Sequence, residues 1–450
     1  MNSTFFKLTA LAGVLLFTAQ AHAKKLSDMS NNIDSALYTN KVHAPLISPL
    51  TVAKLNLQQG WPALASRIPG MSNVLSVTTA GHYAWAIGLR ADRAKQQYEG
   101  MVAFYTGANW VPAETLPGMD AVSAIVPLKP EQGDSAQAFA LDIDKIGYFD
   151  GSVWHAAQTL ADMPQPSVIS SEGHAWAWSQ DPDLYVSSFD LDHEAWTQPL
   201  VQPELSQVRA SAAGNGYAYL LGNNANGQTV LLKGDQRNTW HANVLPIHFR
   251  PYQQQLGVAG DSVYVALSSN SGSAMLVSRD HGETWQRFPY QNGLLLNHPG
   301  STRLWQVIDS KHIALIDLAA AHPLWQVQTL PAAMTEMNLY SVPSPDAGRE
   351  LCVESDLPQP MIACYDSHKQ AWLSLPDVAG NAVRIDGIVA LGKGRVAAFG
   401  VDRQNQAAAF YLHDQTWQTT VVSGMRGMVE NFSHSSQRAA NTDLWIMGQD

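Results

Sequence analysis

The sequence predicts an all-β chain folded as a single β-propeller of about nine four-stranded blades, with eight as the alternative count. Three observations predict it: a tryptophan recurring at blade-sized spacing, a composition suited to many short strands, and two chain ends that complement each other.

The recurring tryptophans follow short polar turns and stand at Trp61, Trp110, Trp154, Trp196, Trp240, Trp285, Trp325, Trp372 and Trp417. Successive spacings are 49, 44, 42, 44, 45, 40, 47 and 45 residues. That period fits four strands per unit and exceeds the length of helical or leucine-rich repeats. The unit from Trp285 to Trp325 is the least regular. An apolar-Pro pair follows most of the tryptophans, as in Ile68-Pro69, Leu116-Pro117, Leu245-Pro246, Phe288-Pro289, Leu330-Pro331 and Leu375-Pro376. Proline cannot donate to a ladder, so it ends the outer strand. Upstream of the tryptophans, Gly turns feed small and aromatic residues, for example at 81–88, 173–178, 214–219 and 260–266. Small residues suit the crowded middle of a blade, and aromatics fill the wedge between blades. Trp85, Trp176 and Trp178 are therefore read as inter-blade packing rather than as ligand platforms.

The composition agrees. Among 450 residues there are 24 Pro, 32 Gly and 14 Trp, with 46% hydrophobic and 14% charged residues. This supports a large core crossed by many turns. The net charge of −11 argues against a surface that tracks nucleic-acid phosphates.

At the ends, the Trp61 unit has outer-strand features alone, whereas residues 428–450 read as an inner pair. Pairing the two would close the ring without leaving an edge strand. The first 23 residues read as a signal peptide: Lys7, an apolar run over 8–18, then Ala21-His22-Ala23 before the cleavage point. The run is short for a bilayer span, and no comparable one follows. The expected division is 1–23 signal peptide, 24–45 N-terminal extension and 46–450 β-propeller. The mature product, cut near Ala23, is expected to be bacterial, periplasmic or secreted, monomeric and not membrane-spanning. Cys352 and Cys364 flank a turn-rich stretch and are expected to form a disulfide in an oxidising compartment, with two buried thiols as the alternative.

The segment Ser278-Arg-Asp280-His-Gly282-Glu-Thr-Trp285 matches the Asp-box of sialidase-like propellers. The resemblance implies that Asp280 and Gly282 shape an outer hairpin and that Trp285 plugs the space between strands, with nothing catalytic. The order aromatic-Asp, turn, Trp, Leu-Pro is similar to kelch repeats, without their Gly-Gly pair. Arg67-Ile68-Pro69 resembles the motif carrying one arginine of the sialidase carboxylate-binding triad, where convergent guanidinium groups bind bidentately. Ile68-Pro69-Gly70-Met71 also aligns with Leu116-Pro117-Gly118-Met119, which makes the proline part of the repeat. The kelch likeness implies a sialate epimerase with arginines lining its channel. Arg209, Arg250, Arg303 and Arg384 each fall between an outer strand and the next inner one. With Arg67 they form the candidate ligand-binding set.

No catalytic residue is assigned. His193, His281, His322, His368 and His413 occupy one turn position in different repeats, hence different points of the rim, and cannot form one metal site. Gly260-Asp261-Ser262 fills a repeat turn and lacks a nucleophile elbow. No metal or cofactor is expected. The expected function is an exported, non-enzymatic binding or scaffold protein whose ligand is a protein or carbohydrate, bound on one face or at the channel mouth. The alternative is an enzyme acting on acidic sugars, an epimerase or a glycosidase. Convergence of the five arginines on one pocket would favour the enzyme, and their dispersal would favour the binding protein.

Overall fold

The structure, a computed structural model, describes residues 50–449 apart from 57–64, 81–82, 93–96, 107, 120, 130–135, 292, 298–300, 335–336, 342–348, 356–359, 376–377, 379, 391–395, 414–415 and 435–442. The expected signal peptide and extension, Trp61, Gly81 and Pro376 lie outside the described residues.

Among the described residues every regular element is a strand, and all strand pairs are antiparallel. They form eight sheets arranged in a ring, a β-propeller. Blades 1 to 7 span 73–105, 124–159, 167–201, 207–244, 253–288, 295–329 and 338–374, and blade 8 begins at 382. Within each blade the strands pair in chain order from the centre outward.

The sequence anchors fall where strand chemistry needs them. Trp196, Trp240 and Trp372 lie in outermost strands, while Trp110 and Trp154 bridge to the strand before them. Leu245-Pro246 directly follows Trp240–Val244, and Leu330-Pro331 directly follows Gln326–Thr329. The 40-residue unit is no exception, since blade 6 has all four strands.

The blade count is eight, the alternative figure, and the reason lies in one long strand. Thr416–His434 pairs with Gln406–His413 through its first part and with Asp443–Gln449 through its second. Asp443–Gln449 pairs with Leu50–Asn56, which pairs with Ala65–Ser66. Both chain ends thus join the sheet of blade 8, making it seven-stranded, and no separate ninth sheet forms. Asn73–Ala80 of blade 1 lies against this closure.

The core is a series of wedges between blades. Phe139 of blade 2 meets Phe189 and Trp196 of blade 3, with ring centroids at 4.8 and 5.2 Å. Trp176 and Trp178 of blade 3 pack with Leu220 and Leu232 of blade 4. Trp85 packs with Phe149 and Trp154 across the first seam. Each ring removes a large apolar area from water, on the order of 3 kcal/mol per fully buried aromatic.

The alternation of strand direction defines two faces. Innermost strands start at one face, which also carries the second-to-third turns and the longer connections between blades; it is called the loop face here. The opposite turn face carries the first-to-second and third-to-fourth hairpins. In blades 1, 4 and 8 the innermost strand bulges near the loop face, opposite a glycine of the second strand. A Cβ on Gly88, Gly222 or Gly400 would lie 2.3, 1.7 or 1.9 Å from the carbonyl oxygen of Asn73, Gln207 or Arg384. The missing side chain lets that carbonyl approach, and the extra residue of the bulge is pushed out of the ladder. In blade 4 that residue is Arg209, and in blade 8 it is Asp386; a second irregularity of the same blade 8 strand leaves Val383 outside the ladder.

Candidate functional site

The turn face is closed by short hairpins, each organised by one aspartate. Oδ1 of Asp150, Asp190, Asp235, Asp280, Asp317 and Asp366, in six consecutive blades, accepts a backbone N–H two to four residues onward. An Asx-type bond of this kind fixes a turn at small entropic cost. The segment from Ser278 to Trp285 is the fullest version. Ser278 Oγ donates to Asp280 Oδ1 at 2.7 Å and accepts from Gly282 N at 2.7 Å, while Thr284 donates to Asp280 through its N (2.8 Å) and Oγ1 (2.5 Å).

That hairpin also presses on the neighbouring blade. Gly282, at φ +94°, stands so close to blade 4 that a Cβ would be 3.1 Å from Leu231. Asn243 donates to its carbonyl at 3.0 Å, Glu283 pairs with Lys233, and the His281 ring lies 5.0 Å from that of Tyr217. Trp285 packs half-buried against the same wedge. The segment is a hairpin and a latch between blades 4 and 5.

The Thr284 hydroxyl and N–H, with the Ser278 hydroxyl, hold the Asp280 carboxyl well below the usual carboxylate range. A depressed folded-state pKa adds stability above the unfolded value, near pH 4, which is lost as pH falls further. Asp280→Asn is therefore expected to be less stable than the parent at pH 7, with the gap narrowing below about pH 4. Urea unfolding of both proteins at pH 7 and pH 3 checks this; a gap independent of pH would refute it.

The five candidate arginines come from different blades and connections. Arg303 opens the second strand of blade 6 at the turn face and faces Asp317, its Nε 3.3 Å from Oδ2. Arg384 lies at the loop face and forms a two-point bond with Asp386, at 2.6 and 2.9 Å. Arg67 is exposed just after the closing strand Ala65–Ser66. Arg209 projects from its bulge, exposed. Arg250 is exposed too, and its guanidinium rests on Gly227, where a Cβ would stand 2.3 Å from Nη2. Two of the five are thus neutralised by carboxylates of their own blades, and one lies on the opposite face from the rest.

The turn histidines occupy separate blades. Among the described residues no group of three or more His, Cys, Asp or Glu side chains is placed to hold a metal ion. Cys352 and Cys364 face each other across the second and third strands of blade 7 and are joined as a disulfide, buried in the seam with blade 8.

The loop face is chemically different. Ile143, Tyr252 and Val383 stand there at 69%, 61% and 59% exposure. Leu200, Val201, Val244 and Val421 extend the apolar surface along the nearby ends of outer strands. Among the described residues, seven of the twelve exposed large apolar side chains thus belong to this half, which makes it the more apolar of the two. Sequence reading singled out the arginines here and missed the apolar set. Val383 owes its exposure to a bulge, which leaves no simple signature.

No protein-family model matches the chain, and no curated relative does. Solved structures similar to it include Hsv2p of Kluyveromyces lactis, at 10% identity and TM-score 0.39, covering 66% of this chain and 99% of that one. Another is YCF48 from Cyanidioschyzon merolae, at 12% identity and TM-score 0.34, covering 61% and 91%. Values this low transfer neither ligand nor chemistry to this chain.

Proposed function

We propose that this protein is an exported, non-enzymatic binding or scaffold propeller that engages its partner through the loop face. The observation that carries the reading is the contrast between the faces. Asp-organised hairpins make the turn face a hydrogen-bonded brace, while the loop face exposes Ile143, Tyr252 and Val383, on blades 2, 5 and 8, and Arg209 and Arg250 of blade 4 and the connection after it. Longer connections on a rigid scaffold are where recognition usually resides, and Tyr and Arg are favoured at contact centres. Export rests on the leader-like residues 1–23.

The alternative, an enzyme on acidic sugars, needs several arginines on one carboxylate. The pairing of Arg303 with Asp317 and of Arg384 with Asp386 removes two of them.

The test compares native complexes in the producing cell. The triple variant Ile143→Asp, Tyr252→Ala, Val383→Asp is expected to collapse any larger species to the size of the single chain. The turn-face double variant Leu191→Asp, Leu324→Asp should leave it intact. The opposite pattern, with both variants folded by circular dichroism, would overturn the assignment of the face. In parallel, free sialic acid at about 1 mM is expected to leave the melting temperature unchanged, since binding tighter than that concentration would raise it.

A further inference from the structure

The connection between blades 4 and 5 is built to display side chains. From Val244 to Tyr252 exposure alternates residue by residue: Val244, Pro246, His248, Arg250 and Tyr252 face solvent, while Leu245, Ile247 and Phe249 turn inward. The inward set is held by the wedge between the two blades. Leu245 N bonds to Thr229 O at 2.9 Å at one end, and Tyr252 N to Ser268 O at 3.0 Å at the other. Phe249 lies against Gly272 at ordinary contact distance, and Arg250 covers Gly227 at φ +75°, where a Cβ would stand 2.3 Å from its guanidinium. The displayed row is therefore pre-ordered, which lowers the entropic cost of binding.

Charge sets this row apart from the rest of the molecule. The chain is acidic, at −11, yet residues 205–260 contain four basic residues, Arg209, Lys233, Arg237 and Arg250, and a single acidic one, Asp235. Asp235 lies in the third-to-fourth hairpin, on the turn face. On the loop face this blade presents Arg250, Arg209 and His248 with neutral turn residues Asn224 to Gln228 between strands. Glu204 and Asp261 bound this stretch, Glu204 in the connection from the preceding blade and Asp261 in a turn-face hairpin of blade 5.

From this we infer that the row Val244–Tyr252, with Arg209 beside it, docks an acidic peptide segment of a protein partner in which carboxylates alternate with apolar side chains. The row displays Arg250 next in line to Tyr252, a cation beside an apolar ring, which a carboxylate beside an apolar side chain complements. Arg250 supplies an exposed guanidinium for a carboxylate, and Tyr252 and Val244 supply the apolar contacts. The inference rests on the loop-face reading above and narrows it to one seam and one chemistry.

The test uses the full mature chain and a fluorescent peptide of alternating Glu and Phe, followed by fluorescence anisotropy. Saturable binding is expected, weakened by added salt. It should fall about tenfold or more in Arg250→Glu and in Tyr252→Ala. Arg237→Glu, the same charge change on the turn face of the same blade, should leave it unchanged. A peptide of alternating Lys and Phe, and free acetate at equal carboxylate concentration, should not compete. No saturable binding, equal affinity for the Lys peptide, or equal loss in Arg237→Glu would overturn the inference. Competition by acetate alone would assign the site to small anions and overturn the peptide. Should these arms fail while the triple variant still disperses native complexes, the loop-face reading stands and this seam falls.

Discussion

Gly222→Ala is expected to be among the most damaging single substitutions in the protein. The added methyl would stand 1.7 Å from the Gln207 carbonyl oxygen and within 3.2 Å of the Val208 backbone. Backbone cannot rotate aside as a flexible side chain can, so the bulge must open or the second strand must shift. Gly222 is the penultimate residue of its strand, paired with both Val208 and Val230, so a shift there disturbs both ladders of blade 4 at the loop-face end. Forced overpacking of this kind costs about 3 kcal/mol. Gly400→Ala should behave alike, with 1.9 Å to the Arg384 carbonyl. Gly173→Ala makes the useful comparison: it has positive φ but open space around its would-be Cβ, so strain without collision predicts a smaller loss. Denaturant unfolding of the three variants checks the order; equal losses at Gly222 and Gly173 would show that collision with the bulge carbonyl is not what matters.

The second large effect concerns the disulfide. Cys352 and Cys364 close a twelve-residue separation within paired strands, and both are fully buried. Restricting a loop of that length in the unfolded chain is worth about 3 kcal/mol. The double substitution Cys352→Ala, Cys364→Ala is expected to lose about that much, plus a packing term where the sulfurs filled the seam with Ile362, Val378 and Ala382. Reductant should lower the melting temperature of the parent and leave the double variant unmoved. Equal melting of oxidised and reduced parent protein would contradict the role given to the bond.

Much of this fold was legible because propeller blades repeat their punctuation. Trp240 opens an outer strand and Leu245-Pro246 ends it, and both marks survive in sequence as residue types at fixed spacing. The pairing of the two chain ends was legible for the same reason. The count of nine was not, because residue patterns cannot show that Thr416–His434 runs unbroken from one repeat into the next. Glycines 88, 222 and 400 each close a run of small and aromatic residues, but their purpose appears only beside the bulge they face. The displayed row Val244–Tyr252 alternates in exposure, yet Leu245-Pro246 reads as the end of an outer strand and hid it. The arginines were found by type and position, and only geometry separates Arg303 and Arg384, held by their own carboxylates, from Arg209 and Arg250. A bulge or a glycine cradle depends on backbone spacing, which no single residue type encodes.

The central claim is that recognition belongs to the loop face of a rigid ring. Site-specific photo-crosslinking in the producing cell tests it most directly, with the reactive residue placed singly at Ile143, Tyr252 or Val383 and, for comparison, at Leu191 or Leu324 on the turn face. The account predicts one discrete crosslinked species shared by the loop-face positions, strongest at Tyr252, and none at Leu191 or Leu324. A discrete product from the turn-face positions alone would contradict it.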